Sequence, residues 1–172
     1  LKLLTHYKIK KRLISHYSQN EKNAANKVLS LLDEGKEVAI VSDSGTPCIS
    51  DPGIYTVHTA RKHGHTVIPI PGVSAFSTLI SAAGFPVKDC TYAGFLSTKQ
   101  GRRKNELMRL LETKNPFVVY ESVHRITKLL ADLDELAPHR EVVLGREMTK
   151  LYEDFFSGTA KEVLTHLNEL TK

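Results

Sequence analysis

The sequence lacks several features that would restrict its function class. Its two cysteines, Cys48 and Cys90, are far apart and show neither a CxxC pair nor a spacing with histidine that suits a metal site. No N-terminal stretch has the basic and then apolar pattern of a signal peptide. No apolar run approaches the roughly 18 residues that a membrane span needs. We therefore expect a soluble, cytoplasmic protein with reduced thiols and no membrane segment.

Internal repeats, the Walker A pattern and the GxGxxG pattern are also missing. The chain has 172 residues and is 41% hydrophobic, which is enough for one ordinary domain or two small lobes. Its net charge is +5, and the first 86 residues hold most of the excess, with ten Lys/Arg against six Asp/Glu. The basic clusters KIKKR (8–12) and KQGRRK (99–104) are either contacts for a polyanion or ordinary solvated surface.

Helical and strand-like patterns alternate along the first half of the chain, as in an α/β fold with parallel strands. Residues 21–34 place apolar side chains on one face of a helix that stops at Gly35. These side chains are Ala24, Ala25, Val28, Leu31 and Leu32. The pattern then predicts, in order, a strand at 37–42, a helix at 54–64, a strand at 66–70 and a helix at 73–84.

The pattern restarts near residue 87, where we predict a boundary between lobes of residues 1–87 and 88–172. The predicted strands of the second lobe cover 91–96, 116–121, 141–147 and 153–159. Its predicted helices carry apolar residues at helical spacing. They are Leu107, Leu110 and Leu111 in the first, Val123, Ile126, Leu130 and Leu133 in the second, and Val163, Leu167 and Leu170 in the third.

Residues 39–53, AIVSDSGTPCISDPG, contain a polar loop directly after the first predicted strand. Open α/β sheets bind ligands at this end of their strands. Gly45 and Gly53 allow close backbone approach or positive φ. The polar side chains of the loop are Asp43, Ser44, Thr46 and Ser50. The loop therefore either lines a ligand site or is an elaborate turn that caps the next helix through Ser50 or Asp51.

A second predicted strand ends in a turn at Pro71 and Gly72 that leads directly into a helix. Ser74 and Ala75 then present free backbone N–H groups at the helix start, which suits a carboxylate or another polar ligand atom. Alternatively, the small side chains of this helix serve close packing on the sheet.

Five segments resemble, in this order, the motifs of the tetrapyrrole methylase superfamily: VSDSGTPCISDPG, PIPGVSAFSTLISAAGFP, GFLSTKQGRRK, FVVYESVHRI and GREMTKLYEDFFSGT. They are most similar to the ribosomal RNA ribose methyltransferases within it. The resemblance implies a two-lobed α/β fold with a mainly parallel sheet in the first lobe and a mixed sheet in the second. It also implies S-adenosyl-L-methionine in the cleft between the lobes, and methylation of a cytidine ribose 2′-hydroxyl in 16S ribosomal RNA.

Matched motif by motif, the resemblance assigns the cofactor contacts. The first loop contributes Gly45, Thr46, Pro47 and Ile49, the helix start contributes Ser74 and Ala75, and the second lobe contributes Tyr120, Met148 and Thr149. Members of the superfamily begin with a strand and an acidic segment upstream of these motifs and continue beyond LNELTK. We therefore expect this chain to be an internal part of a longer protein.

Methylation of a ribose hydroxyl needs a group that takes up the hydroxyl proton. The preferred candidates are Asp43, Glu121 and Lys150, and Glu147 and Glu153 are further ones. Each has an alternative role as a capping group, a surface charge or an ion-pair partner. We predict no metal site, because His63 and His65 have no acidic residue nearby in the sequence.

The RNA contacts are predicted at Lys99, Arg102, Arg103, Lys104 and Arg125. Three of them lie at a helix start, where the partial positive charge of the helix disfavours cations. An RNA phosphate backbone would explain these three cations. Arg125 either contacts a phosphate as well or forms an ion pair at the start of a helix. The predicted partner is 16S rRNA in the small ribosomal subunit, and the resemblance suggests a homodimer. Methylation of a tetrapyrrole carbon and RNA binding without catalysis stay open as other functions.

Overall fold

The computed structural model describes residues 2–86 and 88–170, and the chain divides into two compact units. Unit one comprises residues 1–72 and unit two comprises residues 73–172. The division between Gly72 and Val73 lies upstream of the lobe boundary predicted near residue 87. That boundary stays a prediction, and Val87 itself is outside the described residues.

Unit one contains helices α1 (Lys2–His6), α2 (Glu21–Asp33) and α3 (Ile54–Lys62), with a short 3-10 turn at Ser18–Asn20. The structure confirms the helices predicted at 21–34 and 54–64, and it adds α1 and the 3-10 turn, which the sequence pattern does not predict. Helices α2 and α3 pack against each other. Both bury small side chains, with Ala24 and Ala25 on α2 and Ala60 on α3, so the two backbones approach closely.

The strands predicted at 37–42 and 66–70 are not formed in the structure. Val41, Ile68 and Ile70, which the strand pattern places in a core, are exposed. A strand needs a neighbour whose N–H and C=O groups complete its ladder, and within residues 2–86 no segment pairs with these two. The parallel sheet predicted for the first lobe is therefore absent from the described part of unit one.

Unit two alternates helices and strands as predicted. In chain order they are α4 (Ala75–Ala83), β1 (Thr91–Phe95), α5 (Gln100–Glu112), β2 (Phe117–Tyr120), α6 (Ile126–Leu136), β3 (Glu141–Arg146), β4 (Asp154–Thr159) and α7 (Ala160–Leu170). Strands β1 and β2 are parallel, and their pairing runs from Thr91 opposite Phe117 to Phe95 opposite Tyr120. Strands β3 and β4 are antiparallel. The described strands thus form one small parallel and one small antiparallel sheet, whereas the resemblance implies a single mixed sheet.

The core of unit two is formed mainly by side chains of α5, α6 and α7, and partly buried side chains of all four strands pack against it. Its buried side chains are Leu96, Leu107, Leu129, Leu130, Leu133, Ala160, Val163 and Leu167. Two residues predicted on apolar helix faces are not buried: Val123 is 68% exposed and lies before α6, and Leu170 is 46% exposed at the end of α7. Val123 belongs to a turn in which the Ser122 carbonyl accepts the N–H groups of Arg125 and Ile126, so α6 begins only at Ile126.

Candidate functional site

The polar loop of residues 43–53 has an unusual backbone. Four of its residues adopt positive φ, namely Gly45 (71°), Cys48 (69°), Ser50 (59°) and Gly53 (134°). Just before it, the Ser42 hydroxyl donates to the Gly45 carbonyl at 2.9 Å and to the Ser44 carbonyl at 3.3 Å. The loop is therefore tightly folded, as a ligand-binding loop or an elaborate turn requires.

The cap of α3 comes from outside this loop. The N-cap residue of α3 is Gly53, not Ser50 or Asp51 as the turn interpretation predicts. The Glu21 Oε1 atom of α2 accepts hydrogen bonds from the backbone N–H groups of Gly53 (2.8 Å) and Tyr55 (3.1 Å). Sequence reasoning missed Glu21, because it is distant along the chain and no local capping pattern points to it.

The predicted cofactor residues of unit one all lie on this loop. Gly45 and Ile49 are exposed, whereas Thr46 and Pro47 are half-buried. The neighbouring Cys48 thiol is partly buried, and this burial raises its pKa, with a further contribution from the Glu21 and Asp51 carboxylates. Cys48 is therefore a neutral thiol at physiological pH.

In unit two, three of the predicted cofactor contacts lie close together at the start of α4: Ser74, Ala75 and Tyr120. Tyr120 ends β2, and its Oη atom accepts the backbone N–H of Phe76 in the first turn of α4 at 2.8 Å. The side chain of Ser74, the N-cap residue, also lies close enough to the Tyr120 hydroxyl to influence its pKa. Burial raises the pKa of the Tyr120 hydroxyl. The Phe76 N–H, which follows the two N–H groups predicted to be free at Ser74 and Ala75, thus has a partner within the protein.

Aromatic rings surround this contact. The Tyr92 ring lies edge-to-face against Phe76 (5.3 Å between centroids) and against Tyr120 (5.1 Å). Phe95 contacts Tyr120 in the same way at 5.8 Å, and Phe95 is exposed. The end of the parallel sheet therefore presents an aromatic surface beside the start of α4.

The turn between β3 and β4 carries Met148 and Thr149. A Cβ atom at Gly145 would lie 2.8 Å from Met148 Sδ and 3.0 Å from a methyl carbon of Leu79 in α4. Met148 therefore lies near α4, the helix whose start holds Ser74 and Ala75. Thr149 has a φ of 68° and is exposed, and its N–H donates to a Glu153 carboxylate oxygen at 2.6 Å.

The three preferred proton acceptors have different surroundings. Asp43 is exposed. Lys150 is exposed and forms an ion pair with Glu147 at 3.1 Å. The Glu121 side chain is only 2% exposed, and its Oε1 accepts from Arg125 Nη2 at 2.6 Å and from the Ser122 N–H at 2.7 Å. The other oxygen, Oε2, is buried and has no hydrogen-bond donor among the described residues.

The cations at the start of α5 have structural partners that the sequence does not reveal. Arg103 is 3% exposed, and its Nε and Nη2 atoms contact Asp132 Oδ2 of α6 at 2.7 and 2.6 Å. Lys104 pairs with Glu135 at 2.6 Å, and Gln100 donates to Asp132 Oδ1 at 3.0 Å. The two buried charges compensate each other, so the position of Arg103 needs no RNA phosphate to explain it.

The remaining predicted RNA contacts fall into two groups. Lys99 and Arg102 are exposed and make no ion pair with any described residue. Arg125 forms the ion pair with Glu121, which is the alternative that the sequence left open. A buried guanidinium such as that of Arg103 does not reach a phosphate at the surface, so we leave Arg103 out of the proposed RNA surface.

The histidines considered as metal ligands have other partners. The His63 Nδ1 atom lies 2.8 Å from the Thr59 carbonyl oxygen, and the His65 Nε2 atom lies 2.8 Å from Asp33 Oδ1. Across residues 2–86 and 88–170, no cluster of three or more His, Cys, Asp or Glu side chains is arranged to hold a metal ion. Over the same ranges, every helix is too short or too polar to cross a membrane.

Comparison with known proteins adds an independent observation. The family model described as Tetrapyrrole (Corrin/Porphyrin) Methylases matches residues 3–164. The chain is also similar to proteins named Ribosomal RNA small subunit methyltransferase I. It is 42% identical over 142 residues to that of Leptospira biflexa, 40% identical over 168 residues to that of Thermotoga maritima, and 40% identical over 171 residues to that of Mycoplasmopsis pulmonis.

The aligned regions cover 83%, 97% and 99% of this chain, respectively. They cover 59% of the Leptospira protein, 75% of the Thermotoga protein and 76% of the Mycoplasmopsis protein. The chain therefore spans between about three fifths and three quarters of the length of these relatives.

Proposed function

Because the chain belongs to the tetrapyrrole (corrin/porphyrin) methylase family, we propose that its protein transfers a methyl group from S-adenosyl-L-methionine to 16S ribosomal RNA. The observation that carries this proposal is the identity of about 40%, along nearly the whole chain, to ribosomal RNA small subunit methyltransferase I. The acceptor that we propose is the ribose 2′-hydroxyl of a cytidine in the small ribosomal subunit.

The residues of unit two fit a ligand of this kind. The buried Oε2 atom of Glu121 has no donor among the described residues, and S-adenosylmethionine carries hydroxyl and ammonium groups that donate hydrogen bonds. The exposed Phe95 ring and its neighbour Tyr120 offer aromatic surface for a purine. Ala75 is exposed in the first turn of α4, where backbone N–H groups favour a carboxylate.

We propose that Ser74, Ala75, Tyr120, Met148 and Thr149 hold the cofactor in unit two. Gly45, Thr46, Pro47 and Ile49 remain the proposed contacts from unit one. When bound, S-adenosylmethionine supplies an electrophilic methyl carbon on a sulfonium sulfur. The protein's own part is chiefly to orient this carbon and the ribose hydroxyl in line.

A carboxylate or amine must also accept the hydroxyl proton. Of the three candidates, Asp43 combines an exposed carboxylate with the absence of an ion pair within the described residues. Lys150 and Glu121 both have ion-pair partners. We therefore propose the Asp43 carboxylate as the proton acceptor, with Lys150 and Glu121 as alternatives that a pH–rate profile of each variant distinguishes.

For RNA binding we propose Lys99 and Arg102, which project from the start of α5 without an ion pair to any described residue. RNA contacts at Lys104 and Arg125 would compete with their ion pairs to Glu135 and Glu121. An enzyme acting on ribosomal subunits works in the cytoplasm, and we place the protein there. We also propose that it acts as a homodimer.

The test uses the full-length protein with methyl-labelled S-adenosylmethionine and two acceptors, small ribosomal subunits and a tetrapyrrole precursor. We expect label on a cytidine ribose of the 16S rRNA. Label in the tetrapyrrole alone would overturn the RNA assignment. RNA binding without saturable affinity for S-adenosylmethionine would instead indicate a noncatalytic RNA-binding protein.

A further inference from the structure

The polar loop of unit one is held at its end by a carboxylate from a different element. Glu21 is the first residue of α2, and its Oε1 atom accepts the N–H groups of Gly53 and Tyr55. At most helix starts, a side-chain oxygen of the N-cap residue itself accepts such an N–H group. Gly53, the N-cap residue of α3, has no side chain that could accept such a hydrogen bond. The Glu21 carboxylate therefore caps α3 in its place.

The loop needs such a contact because its backbone is strained. Cys48 and Ser50 are not glycines, yet both have left-handed φ angles. Each such residue costs on the order of 1 kcal/mol or more and persists only where the surroundings determine its conformation.

The helix that carries Glu21 is well packed. Helix α2 packs on α3 through buried Ala24 and Ala25. The segment that precedes α2 is also joined to α3, by a hydrogen bond of 2.7 Å between the His16 ring and the buried Thr56 hydroxyl. Glu21 therefore connects a well-packed helix pair to the strained end of the loop.

We propose that Glu21 is a positioning residue for cofactor binding, because it fixes the exit of the loop that carries Gly45, Thr46, Pro47 and Ile49. The inference rests on the proposed function, since it requires that this loop contacts S-adenosylmethionine. Glu21 acts through the Gly53 and Tyr55 N–H groups and does not itself touch the ligand. What matters is its acceptor oxygen at this place, and its negative charge is secondary.

Two variants of similar length separate the acceptor from the rest of the side chain. Glu21→Gln keeps an acceptor oxygen, whereas Glu21→Met removes it and keeps a good helix former. Glu34→Gln and Glu34→Met, at the other end of α2, are the matched controls, since Glu34 is exposed and its ion pair is with its neighbour Lys36. In the full-length protein, calorimetry measures the affinity for S-adenosylhomocysteine and hydrogen exchange measures the Gly53 and Tyr55 amides.

We expect Glu21→Met to bind S-adenosylhomocysteine about tenfold more weakly, as the loss of one helix cap would produce. The same variant loses hydrogen-exchange protection at both amides. Glu21→Gln and the two Glu34 variants retain the parent's affinity to within about twofold. Melting curves show that the measurements are made on folded protein.

Three results would count against the proposal. A folded Glu21→Met variant with the parent's affinity would overturn it, and so would an equal loss of affinity in Glu21→Gln. Unchanged protection of the Gly53 and Tyr55 amides in Glu21→Met would remove its physical basis. If the parent itself binds no S-adenosylhomocysteine, the proposed function fails first, whereas the exchange measurement still reports on the cap.

Discussion

Gly53, at the end of the polar loop, has a backbone conformation that favours glycine. Its φ of 134° is a conformation that residues with a side chain rarely adopt, and a Cβ atom there would lie 2.7 Å from Cys48 Sγ. We predict that Gly53→Ala lowers the free energy of unfolding of the protein by about 1–3 kcal/mol. Urea denaturation followed by circular dichroism measures this change.

Gly72→Ala is the control for this substitution, because it lies in the same unit, has no positive φ and has no atom within 4 Å of the added Cβ. Its free energy of unfolding should stay within about 0.5 kcal/mol of the parent. Equal stability of the Gly53→Ala and Gly72→Ala variants would show that the loop adapts to a side chain at Gly53.

Among the elements, α7 has a start that is capped by an ionisable side chain. The Glu162 N–H donates to Thr159 Oγ1 at 3.4 Å, and Glu162 Oε2 accepts the Thr159 N–H at 2.7 Å and its hydroxyl at 2.8 Å. The sequence pattern T-x-x-E marks this capping box. These hydrogen bonds favour the ionised carboxylate and hold the pKa of Glu162 below its ordinary value of 4.5.

A lowered folded-state pKa means that the Glu162 carboxylate stabilises the folded protein above pH 4.5 and loses this effect as the pH falls below it. We predict that Glu162→Gln, which keeps the acceptor but removes the ionisation, shows a melting temperature that falls less steeply below pH 4.5 than that of the parent. Glu169→Gln makes the same charge change at the other end of α7 and should keep the parent's slope. If the melting temperatures of the parent and of Glu162→Gln fall equally steeply with decreasing pH, the prediction is wrong.

At the scale of the whole molecule, the net charge of +5 favours association with an RNA phosphate backbone. The exposed cations that we propose for this role are Lys99 and Arg102. Replacing both by Ala should weaken binding to small ribosomal subunits and reduce the slope of log K against log salt by about one for each phosphate that is no longer neutralised. Affinity for S-adenosylhomocysteine should not change. Filter binding across a range of salt concentrations measures the slope.

The matched control is the pair Lys114→Ala and Lys161→Ala, which removes the same charge from exposed positions just beyond the far end of α5 and on α7. It should leave the salt slope at the parent's value, because these lysines lie outside the proposed surface. If both double variants change the slope equally, the effect comes from net charge alone and the assignment of Lys99 and Arg102 is wrong.

Much of the fold follows from the order of residues alone, because apolar spacing is a local property. The helices around Ala24, Leu107 and Val163 form where the spacing predicts them, and these side chains are buried. The order of the five motifs also predicted the family, and two of the residues that it assigned to the cofactor, Ser74 and Tyr120, meet at the start of α4. Local spacing identifies which face of an element is apolar, but not which groups cover it.

The tertiary structure decided the features that depend on distant partners. The sequence predicts an RNA contact at Arg103, but Asp132 of α6 pairs with it in the interior. The sequence does not reveal the role of Glu21, because its partners, Gly53 and Tyr55, are more than 30 residues away along the chain. The segments at 37–42 and 66–70 have the composition of strands but no paired neighbour among the described residues. A strand, a buried ion pair and a helix cap from another element each need two segments. Their formation is therefore set by how the chain brings those segments together.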